Sequence, residues 1–491
     1  MLILLSSCEK QLEEFPQNKV MPTTTEDYEQ LLNRAIISRQ IMPYLDILSD
    51  DVDLIETDHV QDGPDDGDAQ LAAYMWQDRH ETTMSGGDIA FSSFYESIFY
   101  CNLIIDGVKN AQGVELNPQN VERTKKQLEA QAYALRAYAY FYLVNLYAKP
   151  FDPTTAAVEQ GVPINLAITA EDKAYTRQPV QEVYNLIVSD LEKSISLLEA
   201  NPADGSSKFK FGELAAKALL ARVYLYMNNW DQAIKYASEV VRINPSIFNL
   251  QAVGEQLNEG NNSGYDWEVT NILGRNYIGS FNENVLFVNG LNELMPALSY
   301  WHYITTFSVN KELADKFEPN DVRRFYFMQT FSLNTFAGLR VKLSYAKNRY
   351  INLGDTFSAT PGSGYTRAIR TEEMYLILAE AYAHKTNGLE EAVKYLNTLR
   401  EPKFRKGKYS PLVASSFNSE SLLDYVFLER RRELCFEGHR WFDLRRHGMP
   451  AQTRTGYSNE VATLKQNDPK YVLQIPQQEL NVNPQIGLTP R

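Results

Sequence analysis

The chain has 491 residues, and its 44% apolar side chains are spread evenly with no low-complexity linker, so one large continuous body is allowed although the length alone suggests about three ordinary domains. A formal net charge of −14 excludes a nucleic-acid binder of the usual kind, which clusters Lys and Arg against phosphates. No apolar run approaches the ~20 residues of a membrane span, and three cysteines define no disulfide framework.

At the N-terminus, Leu5-Ser6-Ser7-Cys8 reads as the end of a lipoprotein signal. The processing enzyme needs an aliphatic residue three before the cysteine and small residues between, so that the thiol is acylated and the peptide is cut before it. Residues 1–8 are then a truncated signal ending at Cys8, with Glu9 opening the mature protein. An h-region of ~7–15 apolar residues is expected upstream, which places the true start before Met1. Cys101 and Cys435 fall in helical patterns and read as small core residues.

Residues 49–87 form an irregular zone. Phe91 to Val108 pairs with Thr124 to Tyr147 as a first helix pair, and Gln131 to Tyr142 is apolar or aromatic nearly all round, which predicts a central helix buried on several sides. Leu220 to Tyr224 leads to Trp230 to Tyr236, and Leu378 to Tyr382 leads to Leu389 to Tyr395. Both alternate alanines with aromatics over helix, turn and helix. In the second, Asn387 and Gly388 supply a left-handed helix end. Ser419 to Leu434 with Gly438 to His447 completes about four tetratricopeptide-like pairs. Between the second and third pairs, residues 246–360 are rich in Gly and Asn, with a short strand predicted at Asn284 to Val288; long insertions on a helical scaffold are usually functional. The fold class is mainly α: one domain over 9–491, a helical-repeat platform with a loop-rich face.

Of five tryptophans, Trp230 and Trp441 read as core, whereas Trp76, Trp267 and Trp301 fall in the irregular zones. An indole face can stack on a sugar ring while polar neighbours bond its hydroxyls. Arg79, Tyr265 and Tyr303 are such neighbours. The alternative is that each tryptophan anchors its own loop.

No nucleophile elbow, HExxH helix, phosphate loop or paired CxxC is present; Met84 stands where His80-Glu81 would need its second histidine. Asp50, Asp51 and Asp53 could supply the paired acids of a glycoside hydrolase, although adjacent carboxylates in an acidic protein are usually solvated. Asp58, Asp62, Asp65, Asp66 and Asp68 could hold a structural calcium but lack EF-hand spacing. No cofactor is expected otherwise.

Three stretches carry a family resemblance: Leu12-Glu13-Glu14-Phe15-Pro16 with Thr24 to Leu32, Arg136 to Val144, and most specifically Glu429-Arg430-Arg431-Arg432-Glu433-Leu434-Cys435-Phe436-Glu437-Gly438-His439-Arg440-Trp441-Phe442-Asp443-Leu444-Arg445-Arg446. In order and over essentially the whole chain they resemble the SusD/RagB nutrient-binding outer-membrane lipoproteins. The resemblance implies a non-enzymatic cell-surface lipoprotein, a nutrient ligand that is most simply an oligosaccharide, and a SusC-type TonB-dependent transporter barrel as partner. A peptide or other nutrient receptor on the same platform remains the alternative. The charges of the signature read as structural: at helical spacing Glu437, Arg440 and Asp443 pair on one surface, and Trp441 and Phe442 point inward.

Overall fold

The computed structural model describes residues 22–36, 45–54, 68–78, 89–113, 117–169, 173–203, 207–251, 282–289, 307–324, 328–334, 340–346, 367–456 and 459–491. In chain order these form α1 Thr25–Ala35, α2 Leu45–Leu48, β1 Val52–Leu54, α3 Asp68–Tyr74, α4 Ile89–Gly107, α5 Pro118–Tyr147, α6 Val180–Ala200, α7 Glu213–Tyr226 and α8 Trp230–Ile243. They continue with β2 Val285–Asn289, β3 Phe307–Val309, α9 Lys311–Asp315, β4 Met328–Asn334, β5 Arg340–Ala346, β6 Arg367–Arg370, α10 Thr371–Ala383, α11 Leu389–Arg400, α12 Ser419–Leu434, α13 Arg440–Arg446, β7 Gln452–Thr455, β8 Val461–Leu464 and α14 Gln477–Val482.

The molecule is mainly helical, and helices packed pairwise carry the bulk of its core. α5 is the axis. Asn117 caps its first turn by accepting from the Gln119 N–H, Pro118 occupies the first helical position, and Ala130 to Tyr147 is buried apart from Tyr133. The sequence reading overlooked α6, although its core-facing stripe, Val183, Ile187, Leu191, Ile195 and Leu198, keeps helical spacing. α6 lies along α5, and the buried pair Arg136–Asp190 (Nε–Oδ2 2.8 Å, Nη2–Oδ1 2.7 Å) joins them while Arg136 Nη1 also donates to Asn102 of α4. Cys101 and Cys435 are both fully buried, as their apolar settings predict.

The two alanine–tyrosine repeats appear as α7–α8 and α10–α11, with α8 packed against α10. At this junction Trp230 is partly buried and stacks on His384 at 4.0 Å, and Lys385 pairs with Asp231. The turn between α10 and α11 corrects one expectation. Asn387 alone takes the left-handed backbone, at φ +61°, whereas Gly388 is ordinary at φ −88°. Glycine is needed at 388 for space, since a Cβ there would lie 2.0 Å from the Tyr382 carbonyl oxygen. Gly388→Ala is therefore expected to destabilise by about 1–3 kcal/mol, read from urea midpoints, while Asn387→Gly changes little.

The signature does not form one helix. α12 ends at Leu434, Phe436 (φ +59°) and Gly438 (φ +77°) turn the chain, and α13 restarts at Arg440. Glu437, Arg440 and Asp443 consequently do not pair with one another: Glu437 takes Arg370, Arg440 takes Asp50, and Asp443 takes Arg430 and Arg446. Trp441 and Phe442 are buried as expected, with Trp441 stacked on Tyr471 at 4.7 Å. Among the described residues no helix is long and apolar enough to cross a membrane.

Candidate functional site

Short antiparallel strands decide where the irregular zones begin and end. β1 pairs with β3 so that Leu54, from which residues 55–67 depart, lies opposite Phe307, to which residues 290–306 return. β2 pairs with β6 so that Asn289, the departure of that same segment, lies opposite Arg367, the return of residues 347–366. Directly opposed residues stand ~4.5–5.5 Å apart, so two zones separated in the sequence by the stretch that carries α4 to α8 share borders. The predicted strand at Asn284 to Val288 is β2, and Val285 to Val288 are buried against Tyr138 and Phe211 through the stack of Phe211 on Phe287 at 4.0 Å.

These borders are held from below by the signature. Arg431 donates Nε to Asp51 (2.7 Å) and Nη2 to the Asp50 carbonyl (2.7 Å), while Arg440 grips both oxygens of Asp50 at 2.7 and 2.8 Å. Both aspartates immediately precede β1. Arg370, the last residue of β6, donates to Glu437 (3.0 and 2.8 Å) and Glu433 (3.1 Å). Arg323, fully buried, takes Asp321 bidentately (3.0 and 2.7 Å), Glu433 (3.0 Å) and Glu429 (2.7 Å). Arg432 reaches the Lys316 carbonyl just past α9. Charges can stand in such a dry interior only when paired and hydrogen-bonded.

The electrostatics follow the geometry. Burial opposes ionisation of Asp443, but Arg430 and Arg446 outweigh it and hold the carboxyl far below its ordinary range. Burial likewise opposes ionisation of Asp50, yet the Arg440 fork brings it to about 2. At Asp51 burial wins over Arg431 and pushes the group up to about 6.

The sequence-nominated residues fare differently. Asp50 and Asp51 are engaged by arginines, Asp51 is wholly buried, and Asp53 accepts from Asn310 at 3.0 Å. A glycosidase acid must reach the glycosidic oxygen, and this set offers no such open pair. Trp76 is corrected as well. It is 3% exposed, its indole N–H donates to the Leu48 carbonyl at 3.0 Å, and the Arg454 guanidinium lies 4.2 Å from its ring, so neither face is open for a sugar. Its backbone is left-handed at φ +48°, a conformation that costs a bulky residue on the order of 1–3 kcal/mol. Arg79, Tyr265, Trp267, Trp301 and Tyr303 lie outside the described residues, as do Cys8, Asp58, Asp62, Asp65 and Asp66; Asp68 opens α3. Among the described residues no group of His, Cys, Asp and Glu could hold a metal ion.

Sequence reasoning missed Arg323, Arg370 and Arg454: beside the neighbours Asp321 and Glu372, the first two reach Glu433, which is distant in the sequence, and Arg454 reaches backbone carbonyls. A recess of about 580 Å³ between the start of α5 and the end of α6 is lined by Pro118, Gln119, Arg123, Lys126, Asn201 and Pro202, and Arg123 is committed to the Pro202 carbonyl.

A helical-repeat platform whose buried charges fix the borders of two irregular zones is a scaffold for presenting loops. Comparison with known proteins gives it a family. A family model described as starch-binding, associating with outer membrane, matches residues 10–225, and the SusD family model matches residues 262–490. The chain belongs to the SusD/RagB family. SusD-like protein P2 of Formosa agariphila is 25% identical over 360 residues, which span 66% of this chain and 66% of that relative, just under two thirds of its length. A SusD superfamily protein from Bacteroides vulgatus superposes with a TM-score of 0.69 at 21% identity, covering 95% of this chain and 99% of the other. A laminarin-binding SusD-like protein superposes with a TM-score of 0.62 at 22% identity, covering 96% and 99%. These likenesses show the fold.

Proposed function

We propose that the protein is a cell-surface lipoprotein, anchored in the outer membrane through acylated Cys8, that captures an oligosaccharide on its irregular face and hands it to a TonB-dependent transporter of the SusC type. It acts by binding, without chemistry. The observation that carries this reading is the shared border of the two irregular zones on a platform that SusD-family models match on both sides of residue 225. The starch-binding description of the family model and the laminarin ligand of a structural neighbour support a glucan as the ligand class. Trp267 and Trp301 are the proposed stacking platforms, with Arg79, Tyr265 and Tyr303 as polar and aromatic companions.

Calorimetric titration of the full-length Cys8→Ala protein with laminari-oligosaccharides, malto-oligosaccharides and short peptides tests the reading. Saturable binding of one glycan class without product, weakened about tenfold or more by Trp267→Ala or Trp301→Ala, is the expected result, since tenfold is about 1.4 kcal/mol. Binding of peptides alone moves the assignment to a peptide receptor. In membrane fractionation Cys8→Ala is expected to release the protein, because acyl chains supply the attachment; retention in cells lacking any partner barrel counts against the anchor.

A further inference from the structure

Arg454, on β7, is 7% exposed and forms no ion pair among the described residues. Its fork is directed at backbone instead. Nη1 donates to the carbonyls of Ile47 (2.8 Å) and Tyr74 (2.7 Å), and Nη2 to those of Leu48 (3.2 Å) and Ser49. These are the chain ends of α2 and α3, whose last carbonyls have no helical partner and attract a cation. The guanidinium sits 4.4 Å from the Tyr74 ring and 4.2 Å from the Trp76 ring. Leu48 accepts from Trp76 as well as from Arg454, which closes the set.

The two strapped segments flank residues 55–67 within the first irregular zone. Ile47 to Ser49 lead into β1, and the chain departs at Leu54; Tyr74 and Trp76 lead to Asp78, where it departs again. Asp78 is itself held by Arg491 Nε at 2.6 Å, and Arg491 also donates to the Pro469 and Val472 carbonyls. Lysine could not replace Arg454, since an ammonium has neither the planar fork nor the stacking face. Burial draws Arg454 down to about 10, with Tyr74, Asp50, Asp53 and Tyr471 as the nearest opposing groups, so it stays cationic at neutral pH. The left-handed backbone of Trp76 is thus held by two contacts at once, the hydrogen bond to Leu48 and the Arg454 cation.

We infer that Arg454 and Trp76 are positioning residues for ligand capture, with Arg454 fixing from β7 the directions in which the chain departs at Leu54 and Asp78. This rests on the glycan-capture reading. If only a fraction of molecules holds the competent arrangement, apparent affinity falls by that fraction.

The test compares full-length Cys8→Ala protein with added Arg454→Met, Arg454→Lys or Trp76→Phe. Hydrogen exchange is followed over residues 45–54 and 71–78 against α5 and α10, and association of laminari- and malto-oligosaccharides by stopped flow. Arg454→Met is expected to bring exchange in the two bracketed segments close to the open-chain rate, leaving about one molecule in ten in the competent arrangement, while α5 and α10 stay within about twofold, with Arg454→Lys between. The glycan on-rate is expected to fall about tenfold in step. Exchange that rises everywhere in parallel, or not at all, overturns the inference, and so does an unchanged on-rate beside faster local exchange. If unmodified Arg454 protein binds neither glycan, the capture reading fails, and the positioning role falls with it whatever the exchange shows; an intact on-rate in one variant and a missing one in all are therefore distinct results.

Discussion

Arg323→Met is expected to lower the unfolding free energy by about 3–5 kcal/mol, because removing one partner of a buried charge network strands the others. Three carboxylates converge on this one fully buried guanidinium: Asp321, Glu429 and Glu433. Glu429 keeps Arg432 and Arg400, and Glu433 keeps Arg370, but Asp321 has its side-chain bonds from Arg323 and its backbone neighbourhood. The deficit should concentrate there. Adding Asp321→Asn to Arg323→Met is accordingly expected to recover part of the loss, giving a coupling energy of about 1–3 kcal/mol in a double-mutant cycle. Urea unfolding followed by far-ultraviolet circular dichroism reads both numbers. A loss below about 1 kcal/mol for Arg323→Met, the size of an exposed pair, would show that the network is solvated and cannot hold the zone borders.

The same residues show what could be read from the sequence. Helices whose apolar faces repeat locally were legible: α5, α7, α8, α10 and α11 all follow from alanine and aromatic spacing, and the seventeen residues after Ala130 are nearly all buried, as an all-round apolar helix must be. The strand β2 was legible from a run of apolar residues between turn signals. α6 was not legible as a repeat helix: its buried stripe is regular but carries no alanines, so it does not match the alanine–tyrosine pattern of its neighbours. The signature was correctly assigned a structural role but with the wrong partners. Local spacing suggested pairs three residues apart, whereas Phe436 and Gly438 break the helix and send each charge to a partner up to about 390 positions away, such as Asp50 for Arg440. Such pairing is set by topology, which a single sequence does not display. For Trp76 the ring type suggested a platform, and only Arg454, arriving from the far end of the chain, shows that its face is covered.

Stability is expected to fall as pH drops below 6.5, well above the pH at which carboxylates usually begin to protonate, and His439 is the reason. The ring is buried between α10 and the signature, and burial drives it down to about 3; Arg222 and Arg430 act in the same direction, while Glu373 and Asp443 oppose. Its pKa in the unfolded chain is about 6.5. A folded value below the unfolded one means that the unfolded state takes up the proton first, so the stability is present above 6.5 and is lost as pH falls toward 3. At about 1.4 kcal/mol per pH interval the loss between 6.5 and 4.5 is about 2–3 kcal/mol. His447, against Phe427, is driven by burial in the same direction. Asp51 opposes: its folded value near 6 lies above the unfolded one, so its contribution is complete below about 4 and lost as pH rises through 6, which softens the slope in that window. Glu373, Glu380, Glu429 and Asp443, all held down by arginines against burial, lose their contribution only below about 4.5 and produce the steeper acid limb. His439→Gln separates the two regimes, since the amide keeps a neutral polar group in the ring's place but cannot titrate. Urea midpoints measured from pH 8 to 4 are expected to flatten between 6.5 and 4.5 in this variant while the limb below 4.5 remains. An identical slope in both proteins would mean that His439 takes up its proton in the folded state at its ordinary pH, and that the charges around it are open to water.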